Sequence, residues 1–336
     1  MKFAVVGDVH IADTPPSTRK DDYKNVVLGK LEYIINLVNS DGGYSAVLFA
    51  GDLFHKKIPF HNSHSLISAL ISVFEKSSVP VYIVPGNHDI HGNLSTFESQ
   101  PLNVLVKAGV MKVLCGKPVL FDNCDIKVSL NGIPFMPALD SKESAEKYNL
   151  DHFDSDIKIS MFHQMVLPDD KKFFLDYVNF SDLRDINADV VVCGHYHEGF
   201  TPSMVPVENS SGGFTYFLNG GSITRGTAEQ ANFDKVPKFI SLEVKNNGAV
   251  VPTIVAYVNA IPYVASDDVF DFNVIERNKK KQDMHKFMEG LSEMESQSLS
   301  TQEPSGILNV LKLLGLESRL EPLAMQYLDD AYAALQ

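Results

Sequence analysis

The sequence lacks the features that would place a chain in a membrane or send it through one. Its longest apolar runs, such as residues 46–50 and 190–193, have the length of a strand and fall far short of the roughly 18 residues that span a bilayer. Only a few apolar or small residues separate Met1 from Asp8, which is less than a secretory signal peptide needs. We therefore expect a cytoplasmic protein without membrane contact.

Cysteine is scarce. The three cysteines, Cys115, Cys124 and Cys193, are odd in number and lack C-x-x-C spacing. This pattern argues against a disulfide framework and against a thiolate zinc site. We expect three buried thiols.

Basic residues are outnumbered, since 29 lysines and arginines stand against 42 acidic residues, for a formal net charge of −13. Proteins that bind nucleic acid through their whole surface are usually basic, so this balance counts against a DNA substrate. Bound divalent cations would reverse the field locally, because two of them add four positive charges at one place. The charge therefore does not exclude a local site for phosphate.

What the sequence does contain is a series of short apolar runs, each followed by a polar turn. Helical patterns separate several of them, with apolar stripes from Tyr23 to Val38 and from Leu66 to Val73. Strands alternating with helices predict an α/β fold. The five runs are residues 3–7, 47–50, 81–84, 157–162 and 190–193.

Two stretches, residues 112–130 and 214–258, instead show short β-rich runs with turn signals such as Asn131-Gly132. We interpret them as antiparallel strands that complete two packed sheets flanked by helices. Beyond about Ile261 the composition becomes charged and then rich in serine, glutamate and glutamine, before further helical stripes between residues 307 and 335. We predict a catalytic domain at 1–262 and a small, mainly helical appendage at 263–336 that serves as a cap or binds a partner.

Metal-ligand residue types follow the predicted strands. Read singly, each has an ordinary structural explanation, such as a helix cap for an aspartate or a core hydrogen bond for a histidine. Their joint placement at the carboxyl ends of five α/β strands, where such sheets hold their sites, favours a functional interpretation. The residues are Asp8 and His10, Asp52, Asn87 with His88 and Asp89, His163, and His195 with His197.

The ordered series D-x-H, G-D, G-N-H-D, H and G-H-x-H resembles the calcineurin-like metallophosphoesterases. The resemblance implies the two-sheet metallophosphoesterase sandwich and two divalent cations, Mn²⁺ in first place, with Mg²⁺, Fe²⁺ or Zn²⁺ as alternatives. It implies that Asp8, His10 and His197 hold the first cation and that Asn87, His163 and His195 hold the second. It also implies that Asp52 bridges the two and that His88 is a catalytic residue outside both ligand sets.

A finer resemblance concerns the substrate. The segment Gly51-Asp52-Leu53-Phe54-His55 is similar to the G-D-x-F-H segment of SbcD-type DNA repair exonucleases, and residues 15–23 and 220–225 resemble segments of their phage versions. This implies a DNA nuclease that works with an SMC-like ATPase of the SbcC type, with a homodimer as one arrangement, in the host cytoplasm if the chain is phage-encoded. His55 would then contact the substrate phosphate, and Arg19, Lys20 and Arg225 would bind DNA.

Several alternatives stay open at this point. The same metal centre supports a phosphodiesterase or phosphatase acting on nucleotides or phosphoproteins, and a non-catalytic scaffold would keep the fold alone. His55 has the structural alternative of a surface histidine. Asp89 either orients His88 or simply stabilises its turn.

Overall fold

The computed structural model describes residues 1–91, 94–174, 176–226, 230–246, 248, 252–277 and 280–281. The chain divides into two compact units, Met1–Val269 and Phe270–Gln336. The helices predicted between residues 307 and 335 lie outside the described residues. The helical appendage and the domain boundary at residue 262 therefore stay predictions.

The first unit alternates strands and helices. In chain order the strands are β1 (Lys2–Val6), β2 (Tyr44–Phe49), β3 (Val81–Ile83), β4 (Lys112–Val113), β5 (Val119–Asp122), β6 (Lys127–Ile133), β7 (Ile157–Phe162), β8 (Val166–Leu167), β9 (Val178–Asn179), β10 (Val190–Cys193), β11 (Met204–Glu208), β12 (Phe214–Leu218), β13 (Lys238–Lys245) and β14 (Thr253–Ala260). The α-helices are α1 (Tyr23–Asp41), α2 (His64–Phe74), α3 (Pro101–Lys107), α4 (Phe180–Leu183), α5 (Gln230–Phe233) and α6 (Ser266–Val269). Short 3₁₀ helices occupy Pro59–His61, Leu94–Ser99, Pro137–Leu139 and Lys142–Tyr148.

Two six-stranded sheets are formed, in the orders β14-β13-β1-β2-β3-β4 and β11-β12-β10-β7-β6-β5. Within the first sheet β1 to β4 are parallel, and within the second β6, β7, β10 and β12 are parallel. The carboxyl ends of parallel strands lie along one edge of a sheet. The residues that follow β1, β2 and β3 therefore share an edge, as do those that follow β7 and β10.

Helices α1 and α2 begin and end where the sequence provides caps. The Asp22 side chain accepts a hydrogen bond from the backbone N–H of Asn25, and Gly42 ends α1 with a left-handed φ of 67°. The Ser63 hydroxyl accepts one from the Leu66 N–H at the start of α2. Both predicted apolar stripes are confirmed as the buried faces of these helices. Among the described residues, no helix combines the length and the hydropathy needed to cross a bilayer.

Three apolar layers hold the unit together. Alternate residues of β1 point to opposite faces, so Ala4 and Val6 pack with the helices, whereas Phe3 and Val5 pack between the two sheets. A third layer, with Phe180 at its centre, covers the outer face of the second sheet. Because both faces of the central strands are covered, these strands are apolar along their whole length, which confirms the α/β sandwich flanked by helices.

Some sequence-based expectations were wrong. Cys115 and Cys124 are exposed, and only Cys193 is buried. Both exposed thiols lie in turns at strand ends, where no layer covers them. Asn131 and Gly132 do not form a turn but lie within β6, because they pair with Ser160 and Met161 of the parallel strand β7. The strands β4 and β12 pair in parallel with β3 and β10, so the β-rich stretches are not wholly antiparallel.

Candidate metal centre

The predicted ligand residues converge from both sheets onto one place. The turns after β1, β2 and β3 bring Asp8, His10, Asp52 and Asn87, and the turns after β7 and β10 bring His163, His195 and His197. The sheets pack face to face, so their carboxyl-end edges meet there. The site therefore requires both sheets of the sandwich.

One group of potential ligand atoms comprises Asp8, His10, Asp52 and His197, whose atoms lie within 4.8 Å of one another. The His10 Nε2 atom is 2.9 Å from His197 Nε2 and 3.5 Å from Asp52 Oδ2. Asp8 and Asp52 are buried, whereas the His197 side chain is 52% exposed. Solvent therefore reaches this group from the side of His197.

A second group comprises Asp52, His163 and His195 within the same 4.8 Å. Asn87 joins it, because its Oδ1 atom is 3.2 Å from His163 Nε2. Asp52 Oδ2 lies 3.2 Å from the same nitrogen. Asp52 is thus common to both groups, which is the position that a bridging carboxylate requires.

Two buried carboxylate oxygens in these groups, Asp8 Oδ2 and Asp52 Oδ2, have no hydrogen-bond partner. A buried oxygen or nitrogen without a partner is unfavourable by about 1 to 3 kcal/mol, so such atoms are rare in folded proteins. Carboxylate oxygens and imidazole nitrogens are ligands for Mn²⁺, Fe²⁺ and Zn²⁺. The residues therefore fit a pair of divalent cations.

Hydrogen bonds orient the potential ligands. The His163 Nδ1–H donates to the Ala50 carbonyl at 2.7 Å, which directs Nε2 into the site. Asp8 Oδ1 accepts from the His195 N–H at 3.0 Å, and Asp52 Oδ1 accepts from the His88 N–H at 2.8 Å. Each carboxylate thus binds a backbone N–H with one oxygen and turns the other toward the site.

The buried environment shifts the pKa values of the histidines in opposite directions. Burial lowers the pKa of His10 to about 3 and that of His195 to about 4, so both rings are neutral at pH 7. Burial also acts to lower the pKa of His163, but Asp52 and Asp8 outweigh it and raise that pKa to about 10. For Asp52, burial opposes ionisation, yet the surrounding histidines, His163 first, hold the pKa of its carboxyl below its usual range.

The backbone of the site is strained. His10, Asp52 and His195 adopt positive φ values of 51°, 48° and 70°, a region that non-glycine residues seldom occupy. Gly51, with φ of 109°, lies against the His163 ring, and Gly86 lies against the Asp52 carboxylate, so a Cβ at either position would clash. These glycines allow the two sheets to place their ligands close together.

His88 and His55 lie beside the first group of ligands. Their rings stack at 5.7 Å, and the His88 ring is 4.9 Å from that of His10. The His88 Nδ1–H donates to the His55 carbonyl at 2.7 Å. His88 is therefore held with Nε2 as its available nitrogen. Burial, followed by the charge of Lys56, lowers the pKa of His55 to about 4.

Asp89 is bound to the backbone of the neighbouring turns. Its two carboxylate oxygens each accept a hydrogen bond at 3.0 Å, one from the Phe54 N–H and one from the Gly86 N–H. It thereby joins the turns after β2 and β3. Of the two roles considered for Asp89, this geometry favours stabilising the turn.

The arginines expected to bind substrate are buried. The buried Arg19 guanidinium binds Asp21 through two nitrogens at 2.8 and 2.6 Å and the Arg225 carbonyl through a third. The buried Arg225 donates to Ser266 and to the Val264 carbonyl. Because both groups are engaged within the protein, the geometry favours a role in holding this loop, and their role in binding DNA stays a prediction. Lys20 is exposed, and its role in binding stays a prediction.

Sequence reasoning missed two supporting residues. The Tyr23 hydroxyl donates to the His10 carbonyl at 2.7 Å, and the Lys235 Nζ atom donates to the His197 carbonyl at 2.6 Å. Tyr23 belongs to the apolar stripe of α1, which explains its burial without revealing its hydroxyl partner. Lys235 contacts a residue 38 positions away, so no local pattern could have identified it.

The chain is similar to two curated proteins of different activity. It is 32% identical over 91 residues to the DNA double-strand break repair protein Mre11 of Archaeoglobus fulgidus, a match to 26% of this chain and 19% of that protein. It is 22% identical over 215 residues to a probable cyclic nucleotide phosphodiesterase of Coxiella burnetii, a match to 60% of this chain and 78% of that protein. The chain thus spans only about a fifth of the Mre11 relative.

Two crystal structures of proteins from Thermus thermophilus resemble the fold at TM-scores of 0.40 and 0.42, with 12% and 14% identity. They cover 72% and 78% of this chain and 93% and 100% of the other chains. The family assignment rests instead on the sequence. Residues 1–199, which include every predicted ligand, match the family model of the calcineurin-like phosphoesterases. The chain therefore belongs to the calcineurin-like phosphoesterase family, as a metal-dependent phosphoesterase.

Proposed function

We propose that this phosphoesterase is a DNA nuclease of the SbcD type. The observation that carries the proposal is His55, the last residue of the Gly51–His55 segment, whose ring lies 5.7 Å from both His88 and His10. A surface histidine without function would have no reason to lie against the candidate acid and a candidate ligand. The similarity to Mre11 adds support.

The proposed ligands are Asp8, His10 and His197 for one cation, Asn87, His163 and His195 for the other, and Asp52 for both, with Mn²⁺ as the proposed metal. When bound, such a pair supplies a hydroxide nucleophile near neutral pH and neutralises the charge of the phosphate. The protein keeps His10 and His195 neutral and therefore ready to bind metal.

His88 is the proposed general acid. Its Nδ1–H is committed to the His55 carbonyl, so a protonated ring donates from Nε2 to the leaving oxygen. The backbone N–H of His88 is fixed by Asp52 Oδ1, which ties the acid to the proposed bridging carboxylate. The acid and the metal ligands therefore keep a constant spacing.

A second candidate function is hydrolysis of cyclic nucleotides. It is favoured by the similarity to the Coxiella burnetii protein, which extends over 60% of this chain. The net charge of −13 does not oppose a small nucleotide substrate.

Substrate profiling decides between these functions. Purified protein is incubated with end-labelled duplex DNA, single-stranded DNA, a cyclic nucleotide and a chromogenic phosphodiester, each with and without Mn²⁺. We expect Mn²⁺-dependent cleavage of DNA and of the chromogenic ester, with the cleavage of DNA lost in His88→Ala. Hydrolysis of the cyclic nucleotide with DNA left intact would reject the nuclease.

We further propose an SMC-like ATPase subunit as partner and a homodimeric nuclease. Relatives of the SbcD type work with such a subunit, and the region from residue 263 onward is the proposed contact. Co-expression with a candidate ATPase, affinity purification and light scattering test both proposals. Elution of the chain alone as a monomer would reject them.

A further inference from the structure

A large cavity opens beside the exposed metal-ligand candidate His197. Its volume is about 1120 Å³, and its walls include the edge strands of both sheets, Val205–Glu208 of β11 and Val258 and Ala260 of β14. Pockets for single small molecules usually measure about 300 to 1,000 Å³. The size and the position along the open side of the sandwich suit an extended chain better than one compact ligand.

Two lysines, Lys235 and Lys238, line this cavity and are half-buried. Lys235 donates to the His197 carbonyl at 2.6 Å. In the part of the chain that the structure describes, neither lysine forms an ion pair with a carboxylate. Burial lowers the pKa of Lys238, so a charged ammonium group at this position lacks full compensation from the protein.

Carboxylates also line the cavity, but none of the described ones forms an ion pair with Lys238. Asp169 accepts from the Ser181 hydroxyl at 2.6 Å, and Glu198 accepts from the Tyr196 hydroxyl at 2.7 Å. Neither of these carboxylates forms an ion pair with Lys235 or Lys238 in the described part of the chain. The other acidic residues that line the cavity are exposed, where water screens their charge; they are Asp170, Glu208 and Asp234.

The sheet topology places Lys238 at the same edge of the sheet as the metal centre. Strand β13 runs antiparallel to β1, so its first residue, Lys238, lies at the edge where β1 delivers Asp8 and His10. The last residue of the same strand, Lys245, lies at the opposite edge and pairs with Glu243. Eight residues of strand separate the two edges by about 23 Å.

We propose that this cavity binds the nucleic-acid strand on one side of the scissile bond, with Lys235 and Lys238 contacting its backbone phosphates. The proposal rests on the nuclease function proposed above and adds a path for the substrate. A phosphate between the lysines would pair with two cationic groups, and such backbone contacts supply most of the non-specific affinity for nucleic acid. The ring of Tyr196, also in the cavity wall, offers a face along which a base can lie.

The test compares Lys238→Ala with Lys245→Ala in the full-length protein loaded with Mn²⁺. Lys238 is chosen because Lys235 also supports His197, so its loss would disturb a proposed ligand. Two substrates are used: a single-stranded oligonucleotide, and bis(p-nitrophenyl) phosphate, which has no neighbouring phosphates. We expect Lys238→Ala to raise the KM for the oligonucleotide about tenfold. Its kcat/KM for the oligonucleotide should therefore fall about tenfold relative to that for bis(p-nitrophenyl) phosphate.

Salt dependence gives a second readout. Loss of one phosphate contact to a single strand should reduce the slope of log affinity against log salt by about 0.7. Lys238→Arg keeps the charge and is expected to restore both the KM and the slope. Lys245→Ala, at the far end of the same strand, should match the wild type throughout.

The outcomes are distinguishable. If the wild type cleaves DNA and Lys238→Ala retains the wild-type KM and salt slope, the cavity is not the substrate path and this inference is rejected alone. If the wild type hydrolyses bis(p-nitrophenyl) phosphate but no DNA, the nuclease function is rejected and the inference with it.

Discussion

At the scale of single residues, the two buried aspartates nearest to Asn87 have different tasks. Asp52 offers one oxygen without a hydrogen-bond partner to the site, whereas both oxygens of Asp89 bind backbone N–H groups. Burial is nearly the same, since the two side chains are 1% exposed. Contact geometry, not burial, therefore separates a proposed metal ligand from a turn-stabilising residue.

Asp52→Asn should remove the bridge between the two cations. An amide carries no negative charge, so we expect metal affinity to fall by about 100-fold or more, with a parallel loss of activity. Elemental analysis after dialysis measures the metal content. Asp89→Asn is the matched control, because it should lower the free energy of unfolding by about 1 to 3 kcal/mol and keep both metals. Full metal content in Asp52→Asn would contradict the bridging role.

His88→Ala should slow hydrolysis without loss of metal. A general acid accelerates proton transfer to the leaving group by about 10² to 10⁴-fold, so kcat for DNA should fall within that range. A p-nitrophenyl ester, whose leaving group needs no proton, should be affected much less. The exposed neighbour His91 provides the control variant, His91→Ala. An equal effect on both substrates would argue against the acid.

Metal binding should release a proton. Asp52 and Asp8 raise the pKa of His163 to about 10 despite burial, so in chelator-treated protein the ring is charged at pH 7.5. A cation at Nε2 must displace that proton, whereas His10 and His195, with pKa values of about 3 and 4, have none to lose. Calorimetry in buffers of different ionisation enthalpy should show about one proton released. An apparent binding enthalpy that is the same in all buffers would contradict this assignment.

At the scale of elements, the strands and their following turns were predictable, and the pairing of distant elements was not. Runs such as residues 157–162 signal a buried strand through local composition alone, and the polar residue that follows marks its end. The place of Asn131 within β6 depends on its pairing with Ser160 of β7. The engagement of Arg19 by the Arg225 carbonyl likewise joins positions 206 apart, beyond any local pattern.

A prediction at the scale of elements concerns Gly51, which lies in the turn after β2. Gly51→Ala places a Cβ against the His163 ring and requires alanine at φ of 109°. We expect a loss of stability greater than about 1 kcal/mol and reduced metal content. Gly109→Ala is the matched control, since Gly109 also has a positive φ, of 78°, but open space around its Cα. Thermal unfolding and elemental analysis compare the two variants. Equal effects would show that the positive φ alone, and not the contact with His163, causes the loss.

At the scale of the whole molecule, metals should contribute to the stability of the fold. Without cations, Asp8 Oδ2 and Asp52 Oδ2 stay buried without hydrogen-bond partners, which opposes the packing of the turns that carry them. Cations at 100 times their dissociation constant stabilise a protein by about 2.7 kcal/mol, which for a unit of this size corresponds to about 5 to 10 °C. A chelator should lower the midpoint of thermal unfolding by that amount, and Mn²⁺ should restore it. An unchanged midpoint would contradict metal binding at this site.

The spread of the ligands between two sheets also makes the site depend on the folding of both sheets. Asp8 and His195 are separated by 187 positions, and their turns meet only after β7 and β10 have packed against β1 and β2. A nascent chain that ends before β10 lacks one proposed ligand of each cation and has no complete second sheet to close the site. A complete ligand set for either cation therefore exists only after both sheets have formed.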